Sequence, residues 1–183
     1  MQNTGSGNSP TIPVAGGGRS PINRGDLGIR IARDGSWHYR GSPIGRLPLV
    51  KLFASVLRRE ADGSYWLVTP AERGRIEVED VPFLAVELTV AGEGRDRQLI
   101  FRTNLDDIVT AGPDNRLRVE TAASGEPAPY ILVRGALEAR LVRSVFYDLV
   151  DLGAEEEIAG ANEFGVWSNG AFFSLGDPGP DWQ

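Results

Sequence analysis

Residues 65–79 read YWLVTPAERGRIEVE and contain the clearest strand pattern of the chain. Tyr65–Thr69 is rich in aromatic and β-branched residues, and in Arg75–Glu79 apolar residues alternate with charged ones, so both runs are typical of strands. Pro70 and Gly74 bound the segment between the two runs, and both residue types favour turns. The stretch therefore predicts a β-hairpin across residues 70–74.

Further strands are predicted after this hairpin. Leu84, Val86, Leu88 and Val90 alternate with smaller or polar residues, which predicts a strand with these four side chains on its buried face. A second hairpin is predicted over 164–175, because Asn169-Gly170 is a strong two-residue turn signal. The remaining predicted strands are Gln98–Thr103, Leu117–Glu120 and Tyr130–Arg134.

Two helices are predicted from apolar residues that recur at intervals of three and four. The first covers about Arg46–Glu60, with Pro48 near its start, where the missing N–H of proline costs nothing. The second covers about Gly135–Leu152, and Gly153 supplies a C-terminal stop. Its apolar stripe consists of Leu137, Leu141, Val145, Leu149 and Leu152.

Each predicted helix precedes a predicted hairpin, so this order of elements occurs twice in the chain. We therefore predict an α+β protein of two small units with a repeated helix-then-hairpin motif. The N-terminal unit is expected over 22–82 and the C-terminal unit over 83–176. Residues 1–21 are rich in Gly, Ser, Asn and Pro, which predicts a disordered tail, and 177–183 are expected to form an irregular tail.

The composition excludes several classes of function. The 183-residue chain has no Cys and one His, which excludes thiol nucleophiles, cysteine-ligated metals and a site with several histidines. We expect no metal and no cofactor. No run of 18 apolar residues occurs, so we expect no membrane span, and the N-terminus lacks the apolar core of a signal peptide. These features predict a cytoplasmic protein.

The formal charge of −6 is unevenly distributed along the chain. Residues 1–59 hold nine Lys or Arg and two Asp, a charge of +7, which leaves −13 for the rest. One interpretation is that the basic segment docks on the acidic remainder. Another is that its Arg side chains bind a phosphate or carboxylate ligand. The overall acidity disfavours nucleic acid as a partner.

Two positions carry both a functional and a structural interpretation. His38, the single imidazole, is either a ligand contact or general base, or a partly exposed strand residue. No Ser-centred motif accompanies it, so no set of nucleophile, base and orienting group is evident. Thr69 and Glu72 form either a polar corner that binds a ligand or the capping box of a helix.

Five segments in this order have a familiar pattern: DGSWHYRGSPI at 34–44, GSYWLVTPAE at 63–72, IEVEDVPF at 76–83, FRTN at 101–104 and VRGALEA at 133–139. Together they resemble a bacterial family known as domain of unknown function 1285, over about Asp26 to Leu175. The resemblance implies two α+β units, of which the second is similar to the pleckstrin-homology fold. It also implies a binding site where the units meet and a role in signal transduction, with no established enzymatic activity.

The leading hypothesis is a non-catalytic binding or regulatory protein with a ligand between the two units. Aromatic rings supply contact area and Arg fixes an anionic group, which favours a small anionic ligand or a peptide or protein partner. The expected site residues are Trp37, His38, Arg46, Trp66, Thr69 and Arg134. One alternative is an enzyme in which His38 is an acid or base with Glu72 or Glu79 as its partner. Another is a nucleic-acid or anionic-surface binder that uses the basic first third.

Overall fold

The fold is mostly β, with about half of the described residues in strands and two short helices. It is known from a computed structural model, which describes residues 20–176. The predicted tails at 1–21 and 177–183 fall outside these residues, except for Ser20 and Pro21. No helix within 20–176 is long and apolar enough to cross a membrane.

The first sheet has six strands in the order β3-β2-β1-β6-β5-β4. Only the central pair, β1 and β6, is parallel, and Ile31 lies opposite Val78 in its register. The predicted hairpin over 65–79 is confirmed as β5 and β6. The elements are β1 Ile22–Ile31, β2 Trp37–Tyr39, β3 Ser42–Pro43, α1 Leu47–Ser55, β4 Leu57–Arg59, β5 Tyr65–Val68 and β6 Glu72–Val78.

The second sheet has the order β10-β11-β12-β7-β8-β9, and again only its central pair, β7 and β12, is parallel. The two sheets therefore have the same strand arrangement. In each sheet, two antiparallel runs of three strands pair with each other through the strands that come first and last along the chain. The strands predicted at 98–103, 117–120 and 130–134 are confirmed within this sheet. Its strands are β7 Phe83–Ala91, β8 Gln98–Thr103, β9 Ile108–Thr110, β10 Leu117–Thr121, β11 Pro127–Arg134 and β12 Leu137–Leu141.

Helix α2, Arg143–Asp151, packs on β7 and leads into a third sheet of three antiparallel strands. The strands are β13 Ala154–Ile158, β14 Ala161–Ser168 and β15 Ala171–Ser174. The predicted turn at Asn169-Gly170 joins β14 to β15. Both turn residues have positive φ, 51° and 73°, as a type I′ hairpin turn requires.

One continuous cluster of buried apolar side chains extends through all three sheets. Ile31 and Leu57 come from the first sheet, Phe83 and Phe101 from the second and Val166 from the third, and each is at most 1% exposed. Burial of apolar area is the main favourable term in folding. Because the sheets share this core, a change at one of them affects the stability of the whole fold.

The prediction of a single helix over 135–152 is wrong in its first half. Residues 137–141 form β12, in which Leu137, Ala139 and Leu141 are buried and their neighbours are less so, and α2 begins only at Arg143. An interval of four residues fits two strand periods as well as about one helical turn. The apolar series through Val145 therefore continues across both elements without a break.

Two further predictions need correction. Helix α1 ends at Ser55 instead of Glu60, because Leu57 begins a short strand that pairs with β5. In β7 the fully buried side chains are Phe83 and Ala85, whereas Leu84 is only half-buried. The register of β7 against β8 shifts between Ala85 and Glu87, so the face that meets the core changes within the strand: Leu84 lies on the face opposite Phe83 and Ala85, whereas Leu88 packs against the core.

A buried hydroxyl joins the third sheet to the second. Ser168 is 0% exposed, and its Oγ donates to the carbonyl of Ala111 at 2.8 Å and accepts the N–H of Leu99 at 3.0 Å. Buried backbone groups need such partners, because a group left unpaired loses its hydration without compensation.

We expect Ser168→Ala to lower the free energy of unfolding by about 1–3 kcal/mol, since it leaves both backbone groups unpaired. Urea denaturation followed by circular dichroism measures this change. Ser174→Ala is the matched control, because Ser174 is an exposed residue of the same sheet, and it should change stability by less than about 0.5 kcal/mol. Equal effects of the two substitutions would contradict the role assigned to Ser168.

Candidate functional site

The single histidine belongs to a short chain of hydrogen bonds at the turn between β1 and β2. Asp34 Oδ1 accepts the Ser36 hydroxyl at 2.5 Å, and Ser36 Oγ lies 2.8 Å from His38 Nε2. The Ser36 N–H also donates to the same carboxylate oxygen, at 2.9 Å. These contacts lower the pKa of the Asp34 carboxyl, the Ser36 hydroxyl being the largest cause.

The same arrangement recurs at the turn between β4 and β5. Asp62 Oδ1 accepts the Ser64 N–H at 2.9 Å and the Ser64 hydroxyl at 2.5 Å. The indole N–H of Trp66 donates to Ser64 Oγ at 2.8 Å. A serine hydroxyl has one proton, so Ser64 gives its proton to the carboxylate and accepts from the ring.

The repeated turn relates His38 to Trp66. Because the Ser36 proton goes to Asp34, a hydrogen bond between Ser36 Oγ and His38 Nε2 requires the tautomer or protonation state in which Nε2 bears a hydrogen, as the Trp66 indole nitrogen does. In that arrangement Nε2 does not accept the Ser36 proton. The carboxylates expected beside His38 bind arginines instead, Glu72 with Arg24 and Glu79 with Arg30.

The other expected site residues lie in different surroundings. Trp37 is 2% exposed and stacks on Phe53 at 6.3 Å between ring centroids, and its indole N–H has no acceptor within the described chain. The ring of Trp66 lies under the guanidinium of Arg73, at 4.1 Å. These two tryptophans are thus held by the protein's own groups.

Thr69 closes the loop of the first hairpin. Its Oγ1 accepts the Glu72 N–H at 3.1 Å and donates to the Glu72 carbonyl at 2.9 Å. Glu72 is the first residue of strand β6, so the capping-box interpretation is wrong because no helix follows.

Arg134 lies where α1 meets the second sheet. Its Nη2 donates to the carbonyl of Ala54 at 2.8 Å, and its Nη1 lies 3.1 Å from the Asp107 carboxylate. A seam cavity of about 350 Å³ surrounds it, lined by Lys51, Ala54, Ser55, Leu105, Asp107 and Arg134. The charge of Arg134 is neutralised within the protein, which makes this residue a link between the helix and the sheet.

Arg46 lines a separate groove at the start of α1. The six expected residues are therefore not brought together: Arg46 and Arg134 line different cavities, and the other four line none of the three cavities described in this section. Within residues 20–176 no group of three or more His, Asp or Glu could hold a metal ion.

A third cavity, the junction groove, lies where β7, β12 and α2 meet the turn after β1. Its volume is about 330 Å³. Its lining includes three arginines and two aromatic side chains. The groove is lined by Arg33, Leu84, Glu126, Pro127, Pro129, Arg140, Leu141, Val142, Arg143, Phe146 and Tyr147.

Strand register brings these residues together. In the parallel pair of the second sheet, Leu84 lies opposite Arg140. The turn that carries Arg33 packs on the same sheet, because a Cβ at Gly35 would lie 2.8 Å from the Asn104 side chain and 3.1 Å from that of Leu84. With φ at +81°, this position favours glycine for its backbone as well as for its lack of a side chain.

Arg140 is held in place by a half-buried carboxylate neighbour. Its Nη1 donates to Asp80 at 3.3 Å, and Asp80 also accepts the Tyr130 hydroxyl at 3.0 Å. Burial, followed by the charge of Asp80, raises the pKa of Tyr130, so that the phenol keeps its proton and donates at neutral pH. This network fixes the Arg140 guanidinium at the wall of the groove.

The other two arginines are less tightly engaged. Arg143 lies 3.5 Å from Glu126, and both side chains are about two-thirds or more exposed, so this pair contributes little. The guanidinium of Arg33 has no hydrogen bond or ion pair within the described residues. Arg143 also begins α2, whose first turn has no acidic residue and no side-chain cap, and the helix dipole adds positive potential there.

These three arginines were not among the expected site residues. The sequence predicts a helix over 135–152, and helical spacing does not separate Arg140 from the apolar residues around it. In the strand observed here, the period of two places Arg140 on the face opposite Leu137, Ala139 and Leu141. The position of Arg33 depends on a packing contact between two sheets, for which the sequence carries no local signal.

The excess of positive charge in the first 59 residues is partly neutralised by the rest of the chain. Arg24 binds Glu72 at 2.7 Å, Arg30 binds Glu79 at 2.6 Å and Lys51 binds Asp106 at 2.5 Å. The contact with Lys51 lowers the pKa of Asp106. These pairs agree with the interpretation that the basic segment docks on the acidic remainder.

Comparison with known proteins identifies relatives over both halves of the chain. The family model "Domain of unknown function (DUF1285), N-terminal domain" matches residues 18–81, and "Protein of unknown function (DUF1285), C-terminal domain" matches 82–175. A DUF1285 family protein from Silicibacter pomeroyi DSS-3 is 47% identical, with a TM-score of 0.81 over 87% of this chain and 85% of its own. Another from Shewanella baltica OS155 is 25% identical, with a TM-score of 0.53 over 68% and 91%. The comparison with curated proteins gives no match.

We expect Ser36→Ala to raise the pKa of Asp34 toward its ordinary value of 3.8, because the lost hydroxyl is the main group that lowers it. The carboxyl carbon resonance of Asp34, followed by NMR across the acid range, reports this pKa. A folded-state pKa below the unfolded value stabilises the fold above the unfolded pKa, and this contribution is lost as the pH falls through the folded pKa.

Ser64→Ala is the matched control for this measurement. It removes the equivalent hydroxyl beside Asp62, whose pKa is lowered by the same contacts, and it should leave Asp34 unchanged. If Ser36→Ala does not move the titration of Asp34, the assigned direction of the Ser36 proton is wrong.

Proposed function

This chain belongs to the bacterial DUF1285 family, and we propose that it is a non-catalytic binding protein whose anionic ligand lies in the junction groove. The observation that carries the proposal is the presence of Arg33, Arg140 and Arg143 on the walls of one cavity. Guanidinium groups bind phosphate and carboxylate through paired, charge-assisted hydrogen bonds. A cavity of this size suits a small molecule.

The walls between these charges are apolar. Leu84, Pro127, Pro129 and Leu141 line the groove together with two aromatic side chains, Phe146 and Tyr147. Ligand pockets combine such surfaces with a few polar groups that fix orientation. We therefore propose a ligand with an anionic group and an apolar body.

The groove also contains one acidic side chain, which opposes an anion. Glu126 lies 3.5 Å from Arg143 and is 67% exposed. Its charge repels a bound anion and competes for the guanidinium. The affinity of the wild-type groove is therefore below what its arginines alone would give.

A binding role is favoured over catalysis by the groups that line the groove. Among residues 20–176, its ionisable lining residues apart from the arginines are Glu126 and Tyr147, and none of its lining residues in this range is His, Ser or Thr. Acid–base catalysis needs a donor and an acceptor positioned around the reacting atom. The alternative with His38 as acid or base has less support, since Ser36 gives its proton to Asp34 and the carboxylates expected beside His38 bind arginines.

We extend the proposal to signal transduction. Arg33 belongs to the segment that matches the N-terminal family model, whereas Arg140 and Arg143 belong to the segment that matches the C-terminal one. A ligand that binds all three would couple the two segments. Such coupling lets a ligand shift the balance between conformations that a partner protein distinguishes.

The finer architecture is part of the same proposal. We divide the chain into units over 22–82 and 83–176, because the first sheet ends at Val78 and the second begins at Phe83. An internal duplication is supported by the antiparallel three-stranded run that follows each helix. The likeness of the second unit to a pleckstrin-homology domain is supported by the six largely antiparallel strands β7 to β12, which precede α2.

We expect AMP and inorganic pyrophosphate, as test anions, to bind the wild-type protein at low salt, and Arg33→Gln and Arg143→Gln each to weaken binding about tenfold. This is the effect of losing one hydrogen bond to a charged group, roughly 1.5 kcal/mol. Glu126→Gln should tighten binding, because it removes the competing carboxylate. Isothermal titration calorimetry measures all three.

Arg24→Gln is the matched control, because Arg24 is exposed, paired with Glu72 and outside the groove. It changes the net charge by the same amount and should leave the affinity within about twofold, as expected for an exposed pair. An equal loss in the control would show that the anions bind by net charge alone. Absence of binding of both anions would contradict the proposal.

A further inference from the structure

We propose that a second cavity, the α1 groove, binds a medium-chain fatty acid, with its acyl chain on the apolar walls and its carboxylate at Arg46. The groove lies between the start of α1 and strands β1 to β3, and its volume is about 460 Å³. Its lining residues are Ile29, Tyr39, Ser42, Pro43, Ile44, Gly45, Arg46, Leu49 and Phe53. None of them lines the junction groove.

The floor of the α1 groove is apolar and rests on the protein core. Ile29 is 6% exposed and part of the continuous core, and Ile44 and Phe53 pack against that core. Phe53 also stacks on the buried ring of Trp37. A preformed apolar wall binds an alkyl chain without the entropic cost of ordering the protein.

One charge faces this apolar surface. In the described part of the chain, Arg46 is the only ionisable lining residue besides the phenol of Tyr39, and no lining residue there carries a carboxylate. Its guanidinium has no hydrogen bond or ion pair within the described residues. It is the residue before α1, whose first turn has no acidic side chain and no side-chain cap, so the helix dipole adds to its positive charge.

These features match a monocarboxylate with an alkyl chain better than a nucleotide or a peptide. The neutral polar side chains of the lining are the hydroxyls of Ser42 and Tyr39. A nucleotide base or a peptide backbone would bury several polar groups that these two side chains could not pair, which disfavours binding. A fatty acid has polar atoms only at its head.

The proposal is tested by calorimetric titration of the full chain with hexanoate, octanoate and decanoate below their micelle concentrations. We expect saturable one-to-one binding that tightens about threefold for each added methylene, close to the gain from burying a CH₂ group. Arg46→Gln should weaken octanoate binding about tenfold while the gain per methylene stays unchanged. Octanol, which has no charge, should bind the wild type about as weakly as octanoate binds Arg46→Gln.

Ser42→Glu provides a second variant, because it places a carboxylate on an exposed residue of the groove. It should weaken octanoate at least tenfold and leave octanol nearly unchanged. The controls are Arg24→Gln, outside both grooves, and Arg33→Gln, in the junction groove. Neither should change the affinity for octanoate, which keeps this test separate from that of the proposed function.

Three results would overturn the proposal. One is an affinity independent of chain length, which would exclude an apolar site for the alkyl chain. Another is an equal effect of Arg46→Gln and Arg24→Gln. The third is displacement of octanoate by pyrophosphate in a manner that Arg33→Gln abolishes, which would assign the fatty acid to the junction groove.

Discussion

The parallel pairing of the first and last strand in each six-stranded sheet is the constraint on which the rest of the structure depends. Adjacent parallel strands cannot be joined by a tight turn, and along the chain four strands separate β1 from β6 and four separate β7 from β12. The first pair places Arg33 next to Glu79, whose carboxylate accepts the Arg33 N–H at 2.9 Å. The second places Leu84 opposite Arg140. Both pairs are therefore needed to build the walls of the junction groove.

The two grooves proposed as binding sites differ from the rest of the basic first third in that they contain arginines without a partner in the described chain. Most cations of the basic first third are engaged with carboxylates, carbonyls or aromatic rings, as Arg24, Arg30 and Arg59 illustrate. Arg33 and Arg46 are exceptions, and each lines a groove with apolar walls. A guanidinium without a partner beside apolar surface attracts an anion more strongly than one that is already neutralised, because little charge has to be displaced. The junction groove is lined by three arginines, whereas the α1 groove is lined by one.

Local patterns predicted the hairpins and most strands, and failed where two periodicities coincide. Asn169-Gly170 fixed its hairpin because the turn itself requires positive φ at both residues. Leu137, Leu141 and Val145 are four residues apart, an interval that occurs in both strands and helices. The pattern therefore predicts one helix across β12 and α2. Strand β1 gave no signal at all, since it contains Gly25 and Gly28 with positive φ and shifts register twice against β6. Of the expected site residues, Arg46 and Arg134 line cavities, and they line different ones.

The sequence by itself determined the family, the strand-rich character of the chain, the hairpin turn at Asn169-Gly170 and the absence of thiol chemistry. These depend on residue type and on contacts between near neighbours in the chain. Only the tertiary structure decided which arginines are free to bind a ligand. That property depends on whether a carboxylate from a distant strand lies within reach, as Glu72 does for Arg24, and such a distance is set by strand pairing between residues 48 positions apart.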